Sequence, residues 1–268
     1  MVTIGLVGCG TIGTKLAQEI QSRFRGIARL SGIYDCDPQK AIRLSHRLSA
    51  PVPFLSPREI VARCSIIIEA ASSQAVGELL PHVIRHRKVI LVMSTGGLLK
   101  QRKLLEKARR LKIPIYLPSG ALVGLDGIKA AAIGRLRRVT LTTRKPPRAF
   151  AGAPGIARKR ISISSIRSPR LLFQGSANQA VAAFPQNINV AATLALAGIG
   201  PVRTRVRIIA DPSVRQNIHE VEALGEFGRL TTRTENKPAK ENPRTSQLAV
   251  FSAIATLQQI LQPVRVGT

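Results

Sequence analysis

Val2-Thr3-Ile4-Gly5-Leu6-Val7-Gly8-Cys9-Gly10-Thr11-Ile12-Gly13 opens the chain and decides its fold class. Val2 to Val7 is apolar enough for a buried parallel strand, and Gly8, Gly10 and Gly13 follow in G-x-G-x-x-G spacing where a helix would start. Each glycine answers a separate demand: Gly8 a tight turn, Gly10 close approach of the backbone to a pyrophosphate, Gly13 close packing of helix on strand. The new helix, with Thr11 and Ile12 in its first turn, then offers free N–H groups to an anion. A second apolar strand, Ala28 to Tyr34, ends at Asp35, about 20 residues past the glycines, where a carboxylate can accept hydrogen bonds from a ribose. Together these features predict a Rossmann domain that binds NAD, with NADP left open because Lys40 and Arg43 stand close by.

Strands and helices go on alternating to about Leu117, as in βαβ units of a parallel sheet. Asp37 and Pro38 read as the cap and first residue of one helix, and Ser56 to Glu59 carries capping-box spacing for another. Apolar strands follow at Cys64 to Glu69, Val89 to Met93 and Ile113 to Leu117. Ligands of such sheets lie outside the carboxyl ends of the strands. Ala71 and Ser72 after the third strand, Ser94 after the fourth, and Ser119 are therefore expected on the cofactor rim with Asp35.

After Ser119 the pattern changes. Ala121 to Ile133 reads as a helix, and strand-like runs follow at Arg137 to Thr143, Arg160 to Ile166, Leu171 to Phe173, Thr204 to Ala210 and Gln216 to Leu224. Arg144 to Lys159, rich in Pro, Gly and Arg, reads as a mobile loop, and Asn187 to Ala197 as a helix. The expected fold is α/β: an N-terminal Rossmann dinucleotide-binding domain over 1–121, joined by a C-terminal helix within 243–268. A second α+β domain over 122–242 carries a mostly antiparallel sheet and the catalytic and substrate-binding residues.

The composition narrows the class. With 44% hydrophobic residues the chain is globular, and no apolar stretch approaches the roughly 18 residues that would cross a bilayer. Met1-Val2-Thr3 leads straight into the first strand, so a cytoplasmic protein with no membrane partner is expected. Three scattered cysteines argue against a disulfide framework and a zinc cluster, and no metal is expected. The net charge of +27 predicts nonspecific, salt-sensitive binding to polyanions. Only 3% of residues are aromatic and Trp is absent, so platforms for stacking single-stranded bases are scarce.

Candidate chemistry is sparse enough to weigh residue by residue. His46 sits on a polar helix face, and His82 and His86 have metal-pair spacing with nothing nearby to complete a ligand set. His219 lies in Asn217-Ile218-His219-Glu220-Val221, an alternating strand that presents Asn217 and His219 on one face. It is the candidate general acid/base, the alternative being a hydrogen-bonded structural histidine. None of Cys9, Cys36 and Cys64 heads a catalytic helix, which argues against thioester chemistry. Asn187 and Asn189 either cap a helix or meet substrate and the nicotinamide carboxamide, respectively. Arg244, Thr245 and Ser246 either form a turn and cap or hold a substrate carboxylate.

Taken in order, Gly8 to Gly13, Ser119-Gly120-Ala121 with Gly124-Leu125-Asp126, Asn187-Ile188-Asn189-Val190-Ala191, Asn217-x-His219, Gly225-x-x-Gly228, and Glu235-Asn236 to Asn242-Pro243-Arg244-Thr245-Ser246 resemble the L-aspartate dehydrogenase family from end to end. The resemblance implies oxidation of a dicarboxylate amino acid, L-aspartate, with NAD or NADP to iminoaspartate. That product hydrolyses to oxaloacetate and ammonia or feeds NAD biosynthesis. The resemblance also implies cofactor contacts at Ala121 and Asn189, catalysis by His219, and a homodimer formed through the second domain. One alternative is another Rossmann reductase of an acidic substrate, dihydrodipicolinate reductase-like or homoserine dehydrogenase-like. The other is a non-enzymatic nucleotide-sensing or nucleic-acid-binding protein.

Overall fold

A computed structural model describes residues 1–158, 161–184 and 188–267, with all their side chains except those of Ile188, Pro243 and Arg244. The chain forms two compact units, the first Met1–Pro118 with Ala249–Arg265 and the second chiefly Ser119–Leu248.

In the first unit the order is β1 (Val2–Val7), α1 (Thr11–Gln21), β2 (Ala28–Tyr34), α2 (Pro38–Ser45), α3 (Pro57–Arg63), β3 (Ile66–Glu69), α4 (Ser73–Arg85), β4 (Val89–Val92), α5 (Arg102–Arg110) and β5 (Ile115–Tyr116). The strands lie in the order β2-β1-β3-β4-β5, and every pairing is parallel. Such strands are covered on both faces, which is why Ile4, Leu6, Ile67, Ile68, Ile90 and Leu91 are all fully buried. Local signals set the helix starts. The Asp37 carboxylate accepts from the Gln39 N–H with Pro38 at the first helical position, and Ser56 and Glu59 make the reciprocal capping box.

The second unit contains α6 (Leu125–Ala131), β6 (Leu136–Lys145), α7 (Pro154–Arg158), β7 (Arg170–Ser176), α8 (Ala177–Ala183), α9 (Ile188–Ala197), β8 (Arg205–Ala210), β9 (Asn217–Gly225), β10 (Gly228–Asn236) and a small β11 (Pro238–Ala239) and β12 (Asn242–Ser246) hairpin. Its main sheet runs β10-β9-β6-β8-β7. Only the β6–β8 pairing is parallel; the other three are antiparallel, so the sheet is mixed. Alternation sorts its faces: Val139, Leu141, Val206, Ile208, Val221 and Ala223 are buried in the core, while Arg138, Arg205 and Arg207 are exposed. The last helix, α10 (Gln247–Leu261), places Ala253 and Leu257 in the apolar core of the first unit.

Three expectations for the second unit need correcting. The helix expected over Ala121 to Ile133 is confined to Leu125–Ala131, because Gly120 and Gly124, with φ of 65° and 76°, turn the chain first. Residues 161–166 are no strand but extended chain with a 3-10 turn, Ile163–Ser165. There the Ser165 hydroxyl donates to the Ser162 carbonyl at 2.9 Å, a local bond that competes with a ladder. The loop expected over Arg144 to Lys159 is built structure: a 3-10 turn Pro147–Phe150 and α7, anchored by Phe150 edge-on to Phe184 at 6.1 Å. Lys159 itself is outside the described residues.

Candidate active site

The glycine turn of the first unit divides into two glycines required by the protein and one that the protein leaves open. At Gly8, φ is +104° and a Cβ would lie 2.5 Å from the Ala70 backbone. At Gly13 a Cβ would stand 1.9 Å from the Gly8 carbonyl oxygen. Gly10, the N-cap of α1, has an ordinary φ of −75°, and a Cβ there would meet nothing within 4 Å. The open space at Gly10, in front of the free N–H groups of an 11-residue helix, suits a pyrophosphate approaching the backbone. Thr11 and Ile12 are half-buried in the first turn of that helix.

Asp35 is tied to the same turn. Its Oδ2 accepts from the Cys9 N–H at 2.8 Å and its Oδ1 from the Asp37 N–H at 2.9 Å, which pins the glycine loop to the end of β2. The carboxylate has further lone pairs for ribose hydroxyls. Burial, with the Asp35 carboxylate next in importance, pushes the Cys9 thiol up to about 12, so it carries no thiolate near neutral pH.

Sequence reasoning passed over Glu69, the carboxylate that organises the rim of this sheet. It is fully buried at the end of β3. Its Oε1 accepts from the Ala71 and Ser72 N–H groups at 2.8 and 3.0 Å and from the Ser94 hydroxyl at 2.9 Å. Its Oε2 accepts from the Ser94 N–H at 3.0 Å. Burial raises its pKa, and the four donors pull it back. Ala71 and Ser72 are exposed, with the Ser72 hydroxyl capping α4, whereas the Ser94 hydroxyl is buried and engaged by Glu69.

In the second unit the inner sheet face changes character along its strands. Val139 and Leu141 of β6 are followed on the same face by Thr143 and Lys145, and Val221 of β9 is preceded by His219 and Asn217. His219 is opposite Thr143 on β6 and opposite Thr234 on β10. Its Nδ1 is 3.0 Å from the Thr143 Oγ1, and the ring is buried. Burial, and after it the Lys145 ammonium, lowers its pKa to about 3, so the imidazole is neutral. Nδ1 is thus the ring nitrogen that faces the Thr143 hydroxyl, and a neutral imidazole keeps one of its two nitrogens as an acceptor.

A buried network continues from that face. The Ala121 carbonyl accepts from the Thr234 hydroxyl at 3.0 Å and from the Asn236 amide at 3.2 Å, and the Ser246 hydroxyl donates to the Asn236 Oδ1 at 2.8 Å. The structure thus links Ala121 and Ser246 through Asn236, and the Thr234 hydroxyl ties this group to the His219 main-chain carbonyl at 3.4 Å. Thr245 is half-buried in β12, and Asn189 is exposed in the first turn of α9. Asn187 lies outside the described residues, as does the side chain of Arg244. Gly8 to Gly13, Asp35, Ala71, Ser72 and Ser94 belong to the first unit, and Ala121, Asn189 and His219 to the second.

Among the described residues no helix is long and apolar enough to cross a membrane, and no cluster of three His, Cys, Asp or Glu residues could hold a metal ion.

Comparison with known proteins extends both halves of this description. Residues 8–118 match the family model described as homoserine dehydrogenase, NAD binding domain, and residues 126–260 match aspartate dehydrogenase, C-terminal. An L-aspartate dehydrogenase of Methanococcoides burtonii is 45% identical over 273 residues, covering 100% of both chains. That of Nitrosopumilus maritimus is 38% identical over 274 residues, again covering 100% of both. The crystal structure of aspartate dehydrogenase from Thermotoga maritima superposes with a TM-score of 0.74 at 26% identity, covering 100% of each chain. A homoserine dehydrogenase from Thiobacillus denitrificans shares the fold, with a TM-score of 0.63 at 12% identity over 97% of this chain and 73% of that one. Fold, glycine turn and relatives define a dehydrogenase with a nicotinamide dinucleotide cofactor. Within that class, the chain belongs to the L-aspartate dehydrogenase family.

Proposed function

We propose that this protein oxidises L-aspartate to iminoaspartate, with NAD as the preferred cofactor. Carrying most weight is the likeness along the whole chain to proteins named L-aspartate dehydrogenase, together with the match over residues 126–260, which spans His219. The cofactor, held by Gly8, Gly10, Gly13 and Asp35, supplies the hydride acceptor. Asp35 favours a free ribose over a phosphorylated one, since a carboxylate repels a 2′-phosphate. Arg43 stands 3.9 Å from the Asp37 carboxylate, which competes with a phosphate for it.

The chain's own residues manage protons and orientation. His219 Nε2 takes the proton released as the substrate C–NH3+ becomes a C=N bond, and Thr143, 3.0 Å from Nδ1, orients the ring. Fixing the amino acid at the polar end of the sheet gives an orientation that free solution lacks. Iminoaspartate then adds water and loses ammonia to give oxaloacetate.

A substrate panel followed by NADH absorbance tests the assignment. Turnover is expected with L-aspartate and, in reverse, with oxaloacetate plus ammonia. Turnover on L-homoserine in place of aspartate would overturn it. Replacing His219 by Ala should lower kcat by roughly a hundredfold or more with NADH binding kept.

A further inference from the structure

We propose that Lys145 binds a carboxylate of the substrate beside His219, and that this ion pair makes His219 a stronger base once substrate has bound. The proposal rests on the assignment of a dicarboxylate amino acid as substrate. Lys145 ends β6, two residues beyond the Thr143 that is opposite His219, so its side chain lies on the same inner face. A position diagonal to His219 is roughly 7–8 Å away between strands, well within reach of a lysine.

The surrounding backbone fixes that direction. The Asp211 N–H donates to the Lys145 carbonyl at 2.9 Å, extending the β6–β8 ladder, and Arg144 points the other way to pair with Asp211 at 2.9 Å. Arg144 thus lies on the outer face, and Lys145 is half-buried at the polar end of the inner one. Burial lowers the Lys145 pKa to about 8, a value at which it is still mostly protonated at neutral pH.

Among the described residues, the charged groups of β9 and β10 lie on the face opposite His219. Glu220, on its own strand, is on the opposite face and paired with Arg233 of β10. The β10 residues on the inner face, Thr234 and Asn236, are neutral. A base held near 3 accepts a proton poorly at neutral pH. A carboxylate seated on Lys145 cancels the like charge beside the imidazole, so its basicity rises when substrate is present.

Succinate is a suitable probe because it is a dicarboxylate with no amine to oxidise. In the whole protein, the ring signals of His219, assigned with H219Q, are titrated by NMR with and without succinate, for wild type and K145M. Succinate affinity, the KM for L-aspartate and NADH affinity are measured alongside. The expected results are a His219 titration midpoint that rises on adding succinate in wild type, and a midpoint in K145M that starts higher and does not respond. Succinate affinity in K145M should weaken roughly tenfold to a hundredfold, with a matching rise in KM and unchanged NADH affinity. Unchanged succinate affinity and KM in K145M would overturn the proposal, as would a wild-type midpoint indifferent to succinate. The wild-type titration decides the matter even if K145M does not fold. Succinate binding that depends on Lys145, without any turnover of aspartate, would uphold the lysine's role and remove the substrate assignment.

Discussion

Glu69 offers the sharpest test of how the cofactor rim is held. Replacing it by Gln conserves volume, yet all four of its contacts are donors and one oxygen becomes an NH2 group. The better orientation keeps the amide oxygen on Ala71, Ser72 and the Ser94 hydroxyl, and sets the NH2 against the Ser94 N–H. That loses one charge-assisted bond, roughly 1.5–3 kcal/mol, and leaves a buried N–H without an acceptor, roughly 1–3 kcal/mol. Removing a carboxylate whose ionisation burial disfavours recovers part of this, giving a net loss of about 2–4 kcal/mol. In a unit of this size such a loss lowers Tm by roughly 6–12 °C. Trp is absent and both tyrosines, Tyr34 and Tyr116, lie in the first unit, so a melt followed by tyrosine fluorescence reports on that unit. The loops after β3 and β4 carry the rim, and NADH affinity should fall with them. A variant that melts within about a degree of wild type and binds NADH equally well would refute this account of Glu69.

Two glycine variants separate folding from ligand binding. Gly10→Ala should melt like wild type but bind NADH roughly tenfold or more weakly, whereas Gly13→Ala, with its Cβ 1.9 Å from a carbonyl oxygen, should lose stability before any ligand is added. Equal melting of the two would contradict this. For His219 the folded pKa is about 3 against 6.5 unfolded, so its contribution is complete above the unfolded value and is lost as pH falls toward the folded one. At about 1.4 kcal/mol per pH unit, the second unit should lose about 2 kcal/mol between roughly pH 6.5 and 5 through this group. Hydrogen exchange of β6 and β9 peptides measures that loss, which should be smaller in H219Q; equal acid sensitivity would count against a buried neutral imidazole.

What could be read from the sequence followed how local its cause was. The first strand, the glycine turn, Asp35 and the caps at Asp37 and Ser56 are each decided within a few residues, and they appear as expected. Glu69 could be seen only as the end of an apolar strand, because two of its four donors come from Ser94, 25 residues away. In the second unit β10 escaped notice, since Arg229, Thr231 and Arg233 alternate with Leu230, Thr232 and Thr234 and leave no apolar face to count. Its one signal is the two-residue connection between Gly225 and Gly228, where Gly228 has a φ of +107°. Lys145 was hidden for the opposite reason: Lys145-Pro146-Pro147 reads as a turn, yet Lys145 still belongs to the strand.

The position of His219 explains why its partners had to be found in the fold. Thr143 and Thr234 are 76 and 15 residues away, and neither carries a motif. Thr143 meets His219 because Val139, Leu141, Val221 and Ala223 fix the register of β6 on β9, and a slip of one residue would turn the imidazole to the opposite face; Thr234 arrives by the separate pairing of β10 on β9. The apolar end of the face therefore decides which hydroxyl meets Nδ1. A core substitution such as Leu141→Ala should then reduce kcat by more than it weakens NADH binding, because the strand it loosens carries Thr143 and Lys145.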